Sequence, residues 1–340
     1  MSSIKLTDVA KEAGVAISTA SIVLSESGQL NEIAKATQER IREVARRLKY
    51  RPNAGARLIQ MRRSGAIALL QSAAMDRAMM SDQLLYGISS ELQKRNQTLR
   101  FVQLDDDSLM ESEPRFLRQK DVDGILVNYS VNMPRRLFDF ISHYEIPSIF
   151  INVRKPKDAV WFDYRSAVSE SIKRQAALGH RRILFLNFTG DYDHYSIRDA
   201  LKGYTETIES LGLKPRIEDK KVPRSDRLQV ALDMLRATDA PGAILTLSSS
   251  SAIPIIQAAG MLGIRIPGQL SICTFGSDQE TSVITPQPAY ISLPWQTAGR
   301  TAVQMLLSKI EETASKQISG RLKCEWHDAS TTVGPIRNKK

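Results

Sequence analysis

Apolar positions along the chain follow two different patterns. From residue 4 to residue 50 they recur at helical spacing in short bursts. "LTDVAKEAG" sets Leu6, Val9, Ala10 and Ala13 on one face. Gly14 then closes the segment as a C-terminal glycine does, and Val15 follows as the apolar plug of a tight turn. "ISTASIVL" opens a second helix, with Ala20, Val23 and Leu24 placed to pack back on the first. "AKATQERIREVARRLKY" gives a third, with Ile41, Val44, Ala45 and Leu48 inward. Its outer face carries Arg40, Arg42, Arg46, Arg47 and Lys49. Two short helices joined by a glycine-containing turn predict a helix-turn-helix, whose second helix enters the major groove of DNA.

Beyond residue 64 the pattern changes to short continuous apolar runs. "GAIALL" (65–70), "TLRFVQL" (98–104), "DGILVNY" (123–129) and "SIFINV" (148–153) read as buried strands with helical stretches between them. After residue 161 the alternation repeats with "RILFLNF" (182–188), "GAILTL" (242–247) and "LSICTF" (270–275). Alternating strands and helices predict parallel sheets covered on both faces. Two such halves leave a cleft between them, at the carboxyl ends of the strands.

Composition narrows the function. A chain of 340 residues with 42% apolar and 25% charged residues suits a globular protein of two or three lobes. No apolar run is long enough to span a bilayer, and "MSSIKLTDVAKEAG" lacks a secretory apolar stretch. No membrane partner is expected, and the location expected is cytoplasmic. Cys273 and Cys324 are far apart in apolar contexts, which argues against a disulfide or thiolate metal site. His143, His180, His194 and His327 have no metal-ligand spacing. Phosphate-loop, dinucleotide and nucleophile-elbow patterns do not occur. The expectation is therefore no metal, no cofactor, no catalytic residue and no enzyme.

Charge is unevenly placed. The net charge is +10, and residues 1–63 hold 12 lysines and arginines against 6 acidic residues. A small basic head on a nearly neutral body is the footprint of a nucleic-acid-binding domain joined to something else. The joining segment, "RPNAGARLIQMRRSG", has Pro52 as its second residue, which suits the first position of a helix. Gly55 weakens that helix, so it is expected to fold on DNA.

"LTDVAKEAGVAISTASIVL" followed by "ATQERIREVARRLKYRPNAGARLI" resembles the DNA-binding head and hinge of the lactose-repressor (LacI/GalR) family of bacterial transcription regulators. "VDGILV", "EIPSIFIN", "LGHRRILFL", "GIRIPGQLSICTFG" and "TP" at 285–286 resemble that family's core segments, in the same order. The resemblance implies an all-α helix-turn-helix head at 1–50 and a hinge helix at 51–63. It further implies an α/β core of two Rossmann-like subdomains, type I periplasmic-binding-protein-like, at 64–335. The first subdomain is placed at about 64–160 plus 292–320, the second at about 161–291 plus 321–335.

The partners implied are a double-stranded DNA operator and a second copy of the chain in a homodimer. The DNA-contacting positions implied are Thr7, Ala16, Ile17, Ser18, Thr19, Ser21 and Ile22 in the head. In the hinge they are Asn53, Ala56, Arg57, Leu58 and Ile59, with Ile59 as the wedge between base pairs.

Several positions depart from the family pattern. The recognition helix usually opens with serine and carries arginine six residues later; here these are Ala16 and Ile22. Arginine reads guanine through a bidentate pair, whereas isoleucine meets only a thymine methyl. In the cleft, an arginine position is Ala200, and two acidic positions are Ser249 and Gly276. Carboxylates accept sugar hydroxyls and arginine anchors rings or phosphates, so a simple sugar is not the expected effector. The strand-end candidates for a small-molecule effector of another class, if there is one, are Asn128, Asn152, Asp163, Arg198, Ser248 and Ser249, with Asn187 beside them.

The reading is a sequence-specific transcription regulator, a repressor on a pseudo-palindromic operator. The rivals are a small-molecule-binding or enzymatic α/β protein with a vestigial head and, more weakly, an extracellular binding protein.

Overall fold

The computed structural model describes residues 4–24, 32–50, 64–74, 80–111, 113–119, 121–129, 131–189, 193–312, 320–329 and 331. The chain divides into two compact units, Met1–Ser64 and Gly65–Lys340.

In the first unit, α1 (Leu6–Glu12), α2 (Ile17–Leu24) and α3 (Lys35–Arg47) enclose one small core. Val9, Ala10, Ala13, Ala20, Val23, Ile41, Val44 and Ala45 are buried there, and Leu6, Leu24 and Leu48 pack against it. These are the inward positions expected from the helical period. Gly14 has φ +64°, a conformation that costs glycine little and other residues more. Val15 N–H reaches back to the Ala10 carbonyl (3.0 Å) and Gly14 N–H to Lys11 (3.2 Å). That left-handed turn ends α1 and sets the direction of α2. Arg47 pairs with Glu12 (2.5 Å), joining α3 to α1 at the surface.

The second unit holds two six-stranded sheets. The chain runs β1 (Ala66–Ser72), α4 (Asp82–Lys94), β2 (Thr98–Leu104), α5 (Asp106–Glu111), α6 (Arg115–Arg118), β3 (Gly124–Asn128), α7 (Arg135–His143), β4 (Ser148–Ile151) and β5 (Ala159–Phe162). It continues through α8 (Tyr164–Ala177), β6 (Ile183–Asn187), α9 (Tyr195–Ser210), β7 (Ile217–Asp219), α10 (Arg227–Arg236) and β8 (Ala243–Thr246). It ends with α11 (Ser249–Met261), β9 (Ser271–Phe275), α12 (Asp278–Thr281), β10 (Ala289–Ser292), α13 (Trp295–Ile310), β11 (Arg321–Leu322) and β12 (Glu325–His327).

The first sheet has the order β11-β5-β4-β3-β1-β2 and the second β12-β10-β9-β8-β6-β7. Every pairing is parallel except β10 with β12. Within each sheet the first five strands therefore lie in the same order, 2-1-3-4-5, and both halves are doubly wound. Strands β3, β4, β6, β8 and β9 are buried along their whole length, as sheets covered on both faces require.

The chain passes between the halves three times: Phe162 to Tyr164, Ser292 to Trp295, and Leu322 to Glu325. β5 lies in the first sheet with β11 beside it, Arg321 opposite Trp161. One core cluster runs through both halves, from Ile67 and Leu69 to Phe185 and Cys273, with Phe162, Tyr164 and Tyr195 between them. α13, which follows a strand of the second sheet, packs on α4 of the first half. The approach is close enough that a Cβ on Gly87 would stand 2.2 Å from the Gln296 carbonyl oxygen.

Candidate functional site

In the head, α2 presents an uncharged outer face. Ile17 is 51% exposed, and Ala16 and Ser18 beside it are also exposed. Thr19, Ser21 and Ile22 are half-buried flanking positions, because Ala20 and Val23 take the inward side. Thr7 is exposed in the first turn of α1. Arg40, Arg42, Arg46, Arg47 and Lys49 are all exposed on or just after α3. The head thus offers hydroxyl and apolar contacts on one helix and positive charge on another. Asn53, Ala56, Arg57, Leu58 and Ile59 lie outside the described residues.

At the carboxyl ends of the strands, each polar candidate of the core has a partner. Asn128 is fully buried and its Nδ2 donates to Gln71 Oε1 (3.2 Å). Asn187 Nδ2 donates to Asp219 Oδ1 (2.9 Å), and its Oδ1 accepts from Thr189 Oγ1 (2.6 Å). Ser248 bonds with the hydroxyls of Ser250 and Ser251 (3.0 and 3.2 Å) and does not cap α11. Arg198 is exposed and pairs with Asp193. Ala200 is fully buried in the core that spans both halves.

Ser249 Oγ donates to Glu280 Oε2 (3.2 Å), which also accepts from Ser277 N–H (3.2 Å). A Cβ on Gly276 would stand 3.1 Å from that same oxygen. Glu280 therefore brings a carboxylate to the edge where positions 249 and 276 lack one. The capping box of Ser277 and Glu280 at the start of α12 holds it there.

Asp163 sits where the chain first crosses between the halves. It caps α8, accepting from Ser166 N–H (3.3 Å), and takes Arg321 Nε (3.1 Å) and Nη2 (2.5 Å) on its other oxygen. Burial alone would raise its pKa, but the bonds from Ser166 and Arg321 outweigh that and leave it below the ordinary value. Asp163 also lines a groove of about 580 Å³ between α8 and α9, the one effector candidate to do so. The indole of Trp161 lies there with the guanidiniums of Arg154 (5.0 Å) and Arg321 (5.7 Å) both near its ring. Arg154 pairs with Asp199, and Arg165 pairs with Glu206 (2.5 Å). The arginines of the groove are matched by carboxylates one to one, so the space carries no net charge for a ligand.

Asn152 is the junction between the halves. It follows β4 of the first sheet with φ +58°, a region that asparagine tolerates. Its carbonyl accepts from His194 Nε2 (3.0 Å) and its Oδ1 accepts from Tyr195 Oη (3.0 Å). Tyr195 Oη in turn accepts from Phe162 N–H (2.9 Å). His194 and Tyr195 open α9 of the second half. The sequence carried no signal for this cluster, because histidine is not among the usual capping residues and its partner lies 42 residues away.

Among the described residues no group of three or more His, Cys, Asp or Glu side chains is placed to hold a metal ion. No helix among them is long and apolar enough to cross a membrane.

Residues 5–53 match the family profile of bacterial regulatory proteins, lacI family, and residues 172–331 match the periplasmic binding protein-like domain. The HTH-type transcriptional repressor PurR of Aliivibrio salmonicida is 24% identical over 314 residues, 90% of this chain and 92% of the relative. The HTH-type transcriptional regulator DegA of Bacillus subtilis is 27% identical over 305 residues, 86% and 87% of the two chains. A crystal structure of the lac repressor dimer, bound to operator and an anti-inducer, superposes with TM-score 0.75 at 20% identity. It covers 98% of this chain and 100% of that one.

The three-helix head with its basic third helix and the duplicated α/β core agree with relatives aligned across both. The chain belongs to the lacI family of bacterial regulatory proteins and is a DNA-binding transcription regulator.

Proposed function

We propose that the protein represses transcription as a homodimer on a pseudo-palindromic operator, with α2 in the major groove of each half-site. The observation that carries this reading is the outer face of α2: Ile17 half-exposed, Ser18 beside it, and no charged side chain on the helix. Ile17 and Ile22 touch thymine methyls, Ser18, Thr19 and Ser21 bond to bases or phosphate, and Thr7 and the α3 arginines hold the backbone. The hinge at 51–63 supplies Asn53, Ala56, Arg57, Leu58 and Ile59 to the minor groove, so that shape readout carries a large share of specificity. The dimeric operator complex of the lac repressor, a fold neighbour, supports this arrangement.

The core acts as the sensor. An effector that binds its open and closed forms differently shifts the hinges and so the affinity for DNA. Ala200 is buried and offers no charge, which supports an effector other than a simple sugar. No catalytic role is assigned to any residue.

Selection of binding sites from random duplexes tests the DNA reading. The expected result is a two-fold symmetric site with thymine facing Ile22 and affinity falling steeply with salt. A guanine required at that position would show that α2 docks differently. The absence of any duplex preferred over bulk DNA would overturn the regulator reading itself.

A further inference from the structure

The Asn152 junction has a property that depends on one proton. His194 Nδ1 accepts from Ser196 N–H (3.3 Å), which caps α9, and Ser196 Oγ lies 2.6 Å from the same nitrogen. A backbone N–H can only donate, so Nδ1 carries no proton. On the other side of the ring, Nε2 lies 3.0 Å from the Asn152 carbonyl, which can only accept. The proton is therefore on Nε2. The neutral Nε2–H form satisfies both contacts at once, and neither the other tautomer nor the imidazolium does.

We propose that His194 and Asn152 form a proton-sensitive clasp between the two halves of the core: the neutral ring holds them closed, and a second proton releases them. A proton on Nδ1 would face the Ser196 N–H and remove that cap bond, leaving the Ser196 hydroxyl to accept in its place. It would also place a cation at the positive end of a helix 16 residues long. The first turn of α9 carries Tyr195, whose hydroxyl is the second bond to Asn152. The next turn carries Asp199, which pairs with Arg154 on the first-half side. The bond from Nε2–H to the Asn152 carbonyl itself favours the protonated ring, so release works through the lost cap, which loosens the start of α9 and with it the bonds of Tyr195 to Asn152 and Phe162 and the Asp199–Arg154 pair.

The charged neighbours do not rescue the imidazolium. On its own segment, Asp193 favours the extra proton and Arg198 opposes it, and the two are paired with each other. On the first-half side Arg154 is already paired with Asp199. The ring is 8% exposed and packs on the Tyr195 ring at 4.5 Å. Burial, the largest influence, pushes its pKa below the ordinary histidine value of 6.5. Since the closed form lowers this pKa, its contribution to closure is complete above that value and is lost as pH falls below it.

Hydrogen exchange of the full chain, corrected for intrinsic rates, reads the clasp at about pH 7.5 and about pH 5.5. Amides at 195–200 and at 152–154 are expected to lose protection several-fold on acidification, up to about tenfold for a single titrating group, while those of α13 keep theirs. In His194→Gln, whose amide can both accept from Ser196 and donate to Asn152 but cannot titrate, the loss should vanish.

Equal protection at both pH values in the natural chain would overturn the proposal without any variant. So would a loss shared by α13, which marks general acid unfolding, or the same loss in His194→Gln, which marks another group. Should that variant fail to fold, the natural chain with α13 as its internal control still decides the matter.

Discussion

Gly87 on α4 and Gly299 on α13 meet at one helix crossing, each lying where the other helix leaves no room for a side chain. A Cβ on Gly87 would be 2.2 Å from the Gln296 carbonyl oxygen, and one on Gly299 would be 2.6 Å from that of Leu84. Backbone, not a flexible side chain, blocks both. Gly87→Ala and Gly299→Ala are each expected to destabilise the core by about 1–3 kcal/mol. Gly260, on α11 with nothing within 4 Å, is the control: Gly260→Ala should be neutral or stabilise by up to about 1 kcal/mol. Urea unfolding followed by tryptophan fluorescence measures all three.

Asp163 gives a second test, with a defined pH dependence. Its pKa is lowered on folding, so its contribution is complete above the ordinary carboxylate value and is lost as pH falls through the lower folded value. Asp163→Ala should cost about 0.5–2 kcal/mol at neutral pH from the lost cap alone. The gap between variant and natural chain should narrow below about pH 4. A gap that stays constant through that range would mean the carboxylate charge does not matter.

The recognition helix makes a third prediction. Ile22→Arg supplies a bidentate donor where the natural side chain has none, so the selected base should change from thymine to guanine. The discrimination gained is about 1–3 kcal/mol. Binding-site selection run on both chains measures this, and an unchanged site would place Ile22 away from the bases.

Both cysteines should be inert in the folded chain. Burial pushes the thiols of Cys273 and Cys324 up to about 12, and thiolate is the reactive form. A disulfide reagent at mildly alkaline pH should label neither until denaturant is added. Rapid labelling of the native protein would show that this part of the core opens.

Where the sequence could be read, a strong period or a long apolar run was the reason. Val9, Ala20 and Ile41 stand at helical spacing and close the head core together. "RILFLNF" and "LSICTF" are buried runs long enough to declare β6 and β9. Short elements gave no such signal. β11 is two residues long and is defined only by its pairing with β5. Arg321, which belongs to it, reaches an Asp163 that lies 158 residues away.

The candidate effector site was legible as strand ends, not as bonds. Asn152 was expected at a strand end, and the structure places it at the junction between the halves. The clasp it makes with His194 depends on a helix start with no capping signal in the sequence. Glu280 was hidden for a related reason: it approaches position 276 from a short helix further along the chain.

The three crossings between the halves have a mechanical meaning. Each is one or two residues long, at Asp163, at Leu293–Pro294 and at Lys323–Cys324. Three short tethers side by side resist stretching and sliding but bend together, as the leaves of a door do on three pins. The two halves are left with essentially one soft coordinate, a swing about the line through the tethers. The clasp proposed at His194 acts on that same swing.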